Sequence, residues 1–304
     1  MPPARRLSDL FDSLPDVVRA GVWITLSGAG FTGMMAIARI LAPDLHILMI
    51  VFYRSLFGVA FLMPLLLRSG PSLLRTGKTP AYILRGIFAF TGLTCYFYAA
   101  ALLPLADIAA LTFTRPLFTT IVAIVILGEI ARSGRWWGIA VGFIGALIVI
   151  RPGFQEMNTG LWFVLGAVVL QTLTPVVTRF LAYTEHPDAI AIYQGIYFAP
   201  LALISAAFVW QTPDLEQFLW LIGLGAIGAL TQRALSRAYV AADATVVVAL
   251  DFLRLPVAAL IGLVVFAEFP DVWVWTGGAV IIGAAVLLTR GEARDEARGE
   301  AKGG

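Results

Sequence analysis

Charged side chains interrupt several otherwise apolar runs of this 304-residue chain: Arg54, Arg85, Arg115, Arg233, Asp251 and Arg254. A charge at the centre of a bilayer costs roughly 2.5–3.5 kcal/mol on insertion scales, so each should face a cavity or a partner. Arg85, near the start of its run, is expected to snorkel to the interface along its methylene stem. Asp251 and Arg254 are three residues apart, share a helix face and can neutralise one another. One carboxylate cannot offset both Arg254 and Arg115. An anion or a substrate carboxylate would supply the missing charge, because guanidinium binds carboxylate and phosphate through paired N–H donors. Polar stripes extend the pattern: Thr112, Arg115 and Thr119 recur at helical spacing, as do Gln171, Thr174 and Thr178. Such threonines also bond back to their own helix carbonyls. The candidate substrate-contacting set is Arg115, Arg254, Asp251, Tyr96, Gln232, Gln171, Thr112, Thr119 and Arg54. Asp251, the carboxylate farthest from a helix end, is the candidate for a proton-linked group.

Other chemistries fit less well. The only histidines, His46 and His186, fall at the ends of apolar runs, and there is no H-E-x-x-H pair for a metal. Neither catalysis nor a bound cofactor is expected. Gly28-x-Gly30-x-x-Gly33 and Gly223-x-Gly225-x-x-Gly228 spell a dinucleotide fingerprint, but that motif needs a strand before it and a helix opening at it. Both lie inside apolar runs, where small residues let helices approach closely. With a formal net charge of only +2, a nucleic-acid partner is not expected.

The elements that position these residues are membrane spans. The chain is 60% hydrophobic and 13% charged, against about 45–50% and about 25% in soluble domains. Lipid must therefore solvate the surplus. A span needs about 20 apolar residues, and ten runs are candidates: 17–40, 47–67, 81–103, 106–127, the short 136–150 between Arg135 and Arg151, 160–181, 189–210, 217–240, 244–267 and 272–289. Residues 1–16 read as a cytoplasmic segment with a short interfacial helix, and 291–304 as a polar tail. Arg5, Arg6, Arg19, Arg68, Arg75, Lys78, Arg132, Arg135, Arg290 and the tail's Arg294, Arg298 and Lys302 fall on one side, against Arg151 on the other. The positive-inside bias places both termini in the cytoplasm. Pro116, Pro175 and Pro256 should kink spans four, six and nine. Asp107 and Asp243 are placed to cap the starts of spans four and nine. Glu129 and Glu268 close those spans against the helix dipole, which implies a tertiary partner for each, Arg132 being the neighbour for Glu129.

The spans repeat as five plus five, over 17–151 and 160–290. Arg39 aligns with Arg179, Tyr53 with Tyr193, Gly92 with Gly228, Tyr96 with Gln232, Asp107 with Asp243, Arg115 with Arg254, Glu129 with Glu268 and Trp136 with Trp275. An odd number of spans per unit sends the second unit in from the opposite face. The expected fold is thus all-α, ten transmembrane helices in two inverted five-helix repeats, a plan common among alternating-access carriers.

The chain resembles the drug/metabolite transporter superfamily of the EamA type. The likeness rests on Phe52-Tyr53-Arg54-Ser55, Leu84-Arg85-Gly86, Pro104-Leu105-Ala106-Asp107-Ile108-Ala109-Ala110-Leu111, Leu127-Gly128-Glu129, Asp251-Phe252-Leu253-Arg254 and Phe266-Ala267-Glu268. It implies a carrier of small metabolites in a bilayer, with the bacterial inner membrane the expected location. The partners expected are a small-molecule substrate and lipid, with protons or a counter-substrate both open for coupling.

Overall fold

The structure, a computed structural model, describes residues 15–69, 76–115, 117–118, 121–122, 133–150, 158–182, 187–241 and 251–284. Within them the chain forms ten helices and no strand. They are α1 (Asp16–Leu41), α2 (Ile47–Ser69), α3 (Thr79–Leu102), α4 (Leu105–Thr112), α5 (Ser133–Ile150), α6 (Thr159–Ala182), α7 (Pro187–Ala207), α8 (Leu215–Ala241), α9 (Arg254–Phe266) and α10 (Val272–Ala284). By length and composition α1, α3 and α8 are sufficient to cross a membrane, and the other apolar stretches among the described residues are shorter. The outward surface is what lipid requires. Trp137, Trp162, Trp210, Trp220, Trp273 and Trp275 are all exposed near helix ends, as in an interfacial aromatic belt. Phe143, Ile144, Leu230, Leu260 and Val264 are exposed farther along their helices.

Helix pairing has a regularity when α1–α5 are matched in order with α6–α10. The broadest contacts are α3 with α6 and α1 with α8, which interchange when the two halves are exchanged; α3–α7 and α2–α8 interchange likewise. The α2–α7 and α4–α9 contacts map onto themselves, as does α5–α10, where Gly145 and Gly277 face each other. A methyl on Gly277 would lie 2.7 Å from the Gly145 carbonyl oxygen, so only a glycine pair permits that crossing.

Four glycines of the fingerprint-like stretches, Gly28, Gly30, Gly225 and Gly228, are likewise packing residues, whereas Gly33 and Gly223 meet no neighbour. A side chain on Gly30 would run into Thr231 of α8, and one on Gly225 into Phe57 of α2. For Gly28 the neighbour is the Arg254 Cβ, 3.3 Å from the position of an added methyl. Around Gly225 the Phe57 carbonyl carbon is also only 3.3 Å away, so backbone as well as side chain must yield. Gly225→Ala should therefore lower stability by about 1–3 kcal/mol, the usual cost of overpacking a dense contact. A melting curve in detergent checks it, and a wild-type Tm would disprove the close approach.

Three local expectations are corrected. Span four is interrupted: α4 stops at Thr112, residues 113–114 form a turn, and helix resumes at Arg115. A proline at position 116 has no N–H to give the Thr112 carbonyl, which accounts for a helix ending there. The aligned place in the second half is also irregular, a 3₁₀ turn over Asp251–Leu253. Pro256 does not kink a continuous helix. It lies in the first turn of α9, where its missing N–H has no intrahelical partner to lose. Prolines do lie inside other helices: Pro200 in α7, Pro64 in α2 and Pro175 in α6. Pro116 itself, the side chain of Pro175, and the structural surroundings of Asp243, Glu129, Arg132 and residues 1–14 fall outside what is described.

Candidate functional site

The bundle core is built around one face of α1. Arg254 opens α9, and its guanidinium donates from Nη2 to Asp251 Oδ1 at 2.7 Å. Arg254 is 9% exposed, and its guanidinium carbon lies 5.0 Å from the centroid of the Phe31 ring, a cation–π contact that partly replaces lost water. Gly28, one turn before Phe31, is the space into which the Arg254 stem fits. Phe31 in turn meets Tyr96 edge-to-face at 5.4 Å. Tyr96 is fully buried, and its hydroxyl lies 3.4 Å from Thr112 Oγ1, which also donates to its own helix at Ile108 O. An ion pair, an aromatic pair and two hydroxyls thus form one continuous cluster joining α9, α1, α3 and α4.

The other candidate residues fall around or away from this cluster. Gln171 packs against Gly92, one turn from Tyr96, with its Cγ 3.4 Å from where a Gly92 side chain would begin. Thr174 bonds back to Leu170 O at 3.1 Å. Arg115 begins the helical segment after the α4 break, the equivalent of Arg254 in the second half. Gln232 is exposed on α8, although its repeat counterpart Tyr96 is buried; Arg233 beside it is exposed too. Thr119 and the side chain of Thr178 lie outside the described residues. Arg85 does not snorkel: it is 8% exposed. It lies on the α3 face that carries Tyr82 and Gly86 against Tyr193 and Tyr197 of α7, with Tyr82 and Tyr193 4.3 Å apart.

Arg54 occupies a second position along α1. It projects from α2 toward Gly228 of α8, where a methyl would come within 3.6 Å of its Nε and Nη2 and 3.2 Å of Met34 Sδ. Its guanidinium carbon is 5.9 Å from the Phe198 ring centroid.

At one end of the bundle a separate polar knot ties the halves together. Arg39, in the last turn of α1, forms an ion pair with Glu268 in the α9–α10 turn. Arg39 Nη1 also donates to Leu103 O at 3.3 Å, and its guanidinium lies 4.5 Å over Phe266. Glu268 Oε2 accepts the Leu105 N–H at 3.3 Å, an orphan donor at the start of α4. This is the partner that the unfavourable position of Glu268 implied. It also corrects the capping expectation, because the N-cap of α4 is Pro104 and Asp107 sits within the first turn. Ala267, with φ 54°, makes the left-handed bend that aims Glu268 back at the bundle. A cavity of about 250 Å³ opens beside it, lined by Pro104, Asp107, Gly262, Glu268, Asp271 and Val274 among others.

Residues 19–151 match the EamA-like transporter family. An S-adenosylmethionine uptake transporter of Rickettsia bellii is 30% identical over 271 residues, covering 89% of this chain and 93% of that protein. The chain belongs to the EamA-like transporter family. A riboflavin transporter of Brucella anthropi is 33% identical over 247 residues, covering 79% and 87%, and a pseudopaline exporter of Pseudomonas aeruginosa is 28% identical over 282, covering 90% and 98%. A crystal structure at 18% identity superposes with a TM-score of 0.60 over 91% of this chain and 97% of that one, which places the fold. This EamA protein is an integral membrane transporter of small metabolites and not an enzyme.

The sequence did not single out Phe31 or the Arg39–Glu268 partnership. Phe31 had one available signal, its place beside Gly28 and Gly30, which clear the space on α1 into which α9 and α8 bring Arg254 and Thr231.

Proposed function

We propose that this transporter is an alternating-access carrier for a small anionic or zwitterionic metabolite, seated on the α1 face between the two halves. The observation that carries the reading is the buried Arg254–Asp251 pair immediately at the break between the 3₁₀ turn and α9. Broken helices near the midplane are where carriers of this plan hold substrate. An ion pair there offers both signs of charge: a substrate carboxylate can take the guanidinium while its ammonium takes Asp251. Tyr96, Thr112 and Gln171 are the neutral contacts of the same reading, with Arg115, Arg54, Thr119 and Gln232 completing the proposed set.

In this reading the halves are inverted repeats, 17–151 and 160–290, and both termini face the cytoplasm, by the lysine and arginine bias of the flanking segments. The membrane is a bacterial inner membrane, as the bacterial relatives suggest. Coupling runs through protons or a counter-substrate, and Asp251 is the group in the site able to bind a proton. The relatives' names give the first compounds to try: S-adenosylmethionine, which carries an amino-acid carboxylate and ammonium, and riboflavin. The test is counterflow in proteoliposomes preloaded with one compound and presented with trace label outside. Label accumulation above equilibrium with an anionic or zwitterionic compound supports a carrier of this class. Accumulation only of simple organic cations, or flux without counterflow, rejects it.

A further inference from the structure

We propose that Arg54 is the seat of the substrate's oxyanion, a carboxylate or a phosphate; this rests on the carrier reading above and names the residue that sets its charge preference. Arg54 lies seven residues into α2, about 10 Å along the helix at ~1.5 Å per residue, deep enough to be inside hydrocarbon rather than at the headgroups. Its Nε is buried and makes no hydrogen bond. Among the described residues the only contact of its charge is the face of Phe198, at 5.9 Å. Arg54 as a whole is half-buried. Inward-facing guanidinium groups are normally paired with carboxylates or carbonyls, and two other arginines here are: Arg254 has Asp251, although its own Nε also makes no hydrogen bond, and Arg39 has Glu268. Among the described residues Arg54 has no such carboxylate.

The position is functional in another respect. Arg54 and Met34 both lie against Gly228, and Met34 is three residues beyond Phe31, the ring under Arg254. Both guanidinium groups therefore border the same face of α1, about one helical turn apart along it. Gly228 keeps that space open on the α8 side, since a methyl there would meet the guanidinium nitrogens. One turn further along α8 the Thr231 hydroxyl is also buried without a hydrogen-bond partner. The ion pair at Arg254 has no net charge. The surplus positive charge of this face sits at Arg54, whose planar fork suits two oxygens at once.

The test uses full-length protein purified in detergent and equilibrium binding of compound pairs that differ by one oxyanion. The pairs are S-adenosylmethionine with its decarboxylated form, for carboxylate, and glycerol 3-phosphate with glycerol, for phosphate; phosphatidylglycerol binding is measured alongside. Wild type should prefer the anionic member of at least one pair by about tenfold or more. Arg54→Gln should bring that ratio to about one, Arg54→Lys should cut it roughly threefold because the fork is lost, and Arg233→Gln on the exposed side of α8 should leave it intact. If Arg54→Gln does not fold, a wild-type ratio in Arg54→Lys overturns the assignment. A ratio that survives in Arg54→Gln also overturns it, including the case where only phosphatidylglycerol binding is lost and the arginine serves lipid. If wild type itself discriminates in neither pair, the anionic or zwitterionic reading fails and this inference fails with it.

Discussion

Replacing Arg254 by glutamine should reduce transport about 100-fold and destabilise the protein by roughly 2–4 kcal/mol. Removing one partner of a buried ion pair leaves the other charge uncompensated, which costs about 3–5 kcal/mol when both are fully buried. Arg254 is buried but the Asp251 side chain keeps 28% of its surface exposed, so the loss should fall around or below the lower end of that range. Asp251→Asn should be worse for stability than the exposure of Asp251 suggests, because it strands the more deeply buried guanidinium. A double variant, Asp251→Asn with Arg254→Gln, removes both charges and should recover much of the stability, since two amides cost less to desolvate than one unpaired buried charge. It should recover none of the transport. Melting temperatures in detergent and counterflow rates separate the two effects. If Arg254→Gln melted and transported like wild type, the pair would be neither structural nor part of the substrate seat.

Reversing one charge of the Arg39–Glu268 pair should lower transport about tenfold and open the end of the bundle where it sits. Glu268 makes two connections, the ion pair and the acceptor for the Leu105 N–H. Glu268→Arg therefore sets two cations together and also leaves the start of α4 without its acceptor. Arg39→Glu sets two carboxylates together but keeps that acceptor, so it should be the milder of the two. The swapped pair, Arg39→Glu with Glu268→Arg, restores attraction but not the bond to Leu105, and rescue should be partial; charge pairs in direct contact commonly couple by about 0.5–3 kcal/mol in double-mutant cycles. Cysteine placed at Leu103, on a background lacking Cys95, reports the opening as faster labelling by an impermeant thiol reagent. Additive single and double effects would mean that the two side chains do not act as a unit.

Local spacing carried much of this arrangement, and contacts between distant segments did not. Asp251 and Arg254 are three residues apart, so their pairing follows from helix geometry once the region is helical. Span number was readable because apolar length is a one-dimensional property. The pairing of Arg39 with Glu268 was not: the repeat aligned Arg39 with Arg179 and Glu268 with Glu129, but alignment relates equivalent residues and says nothing of which residues meet across the halves. The burial of Arg85 is hidden in the sequence for a related reason. Its distance from the helix start fits a snorkelling side chain, and only the packing of Tyr82 and Gly86 on α7 reveals which way that face turns. Pro116 gave a signal for a bend, yet the resulting break falls at the Thr112 carbonyl, four residues earlier, where the missing N–H would have bonded.

The exchange of helix contacts between the halves has an energetic consequence. Were the two halves identical in sequence, a conformation and its half-exchanged image would have equal free energy, whatever the absolute stability of either. The equilibrium between such states is then set only by residues that differ between equivalent positions, such as Tyr96 against Gln232 and Thr112 against Asp251. A difference of about 1.4 kcal/mol at one such position changes the population ratio tenfold, and full reversal from 1:99 to 99:1 takes about 5.5 kcal/mol. Sequence divergence between the halves is in that sense the adjustable weight on the balance, and the shared contacts are its beam.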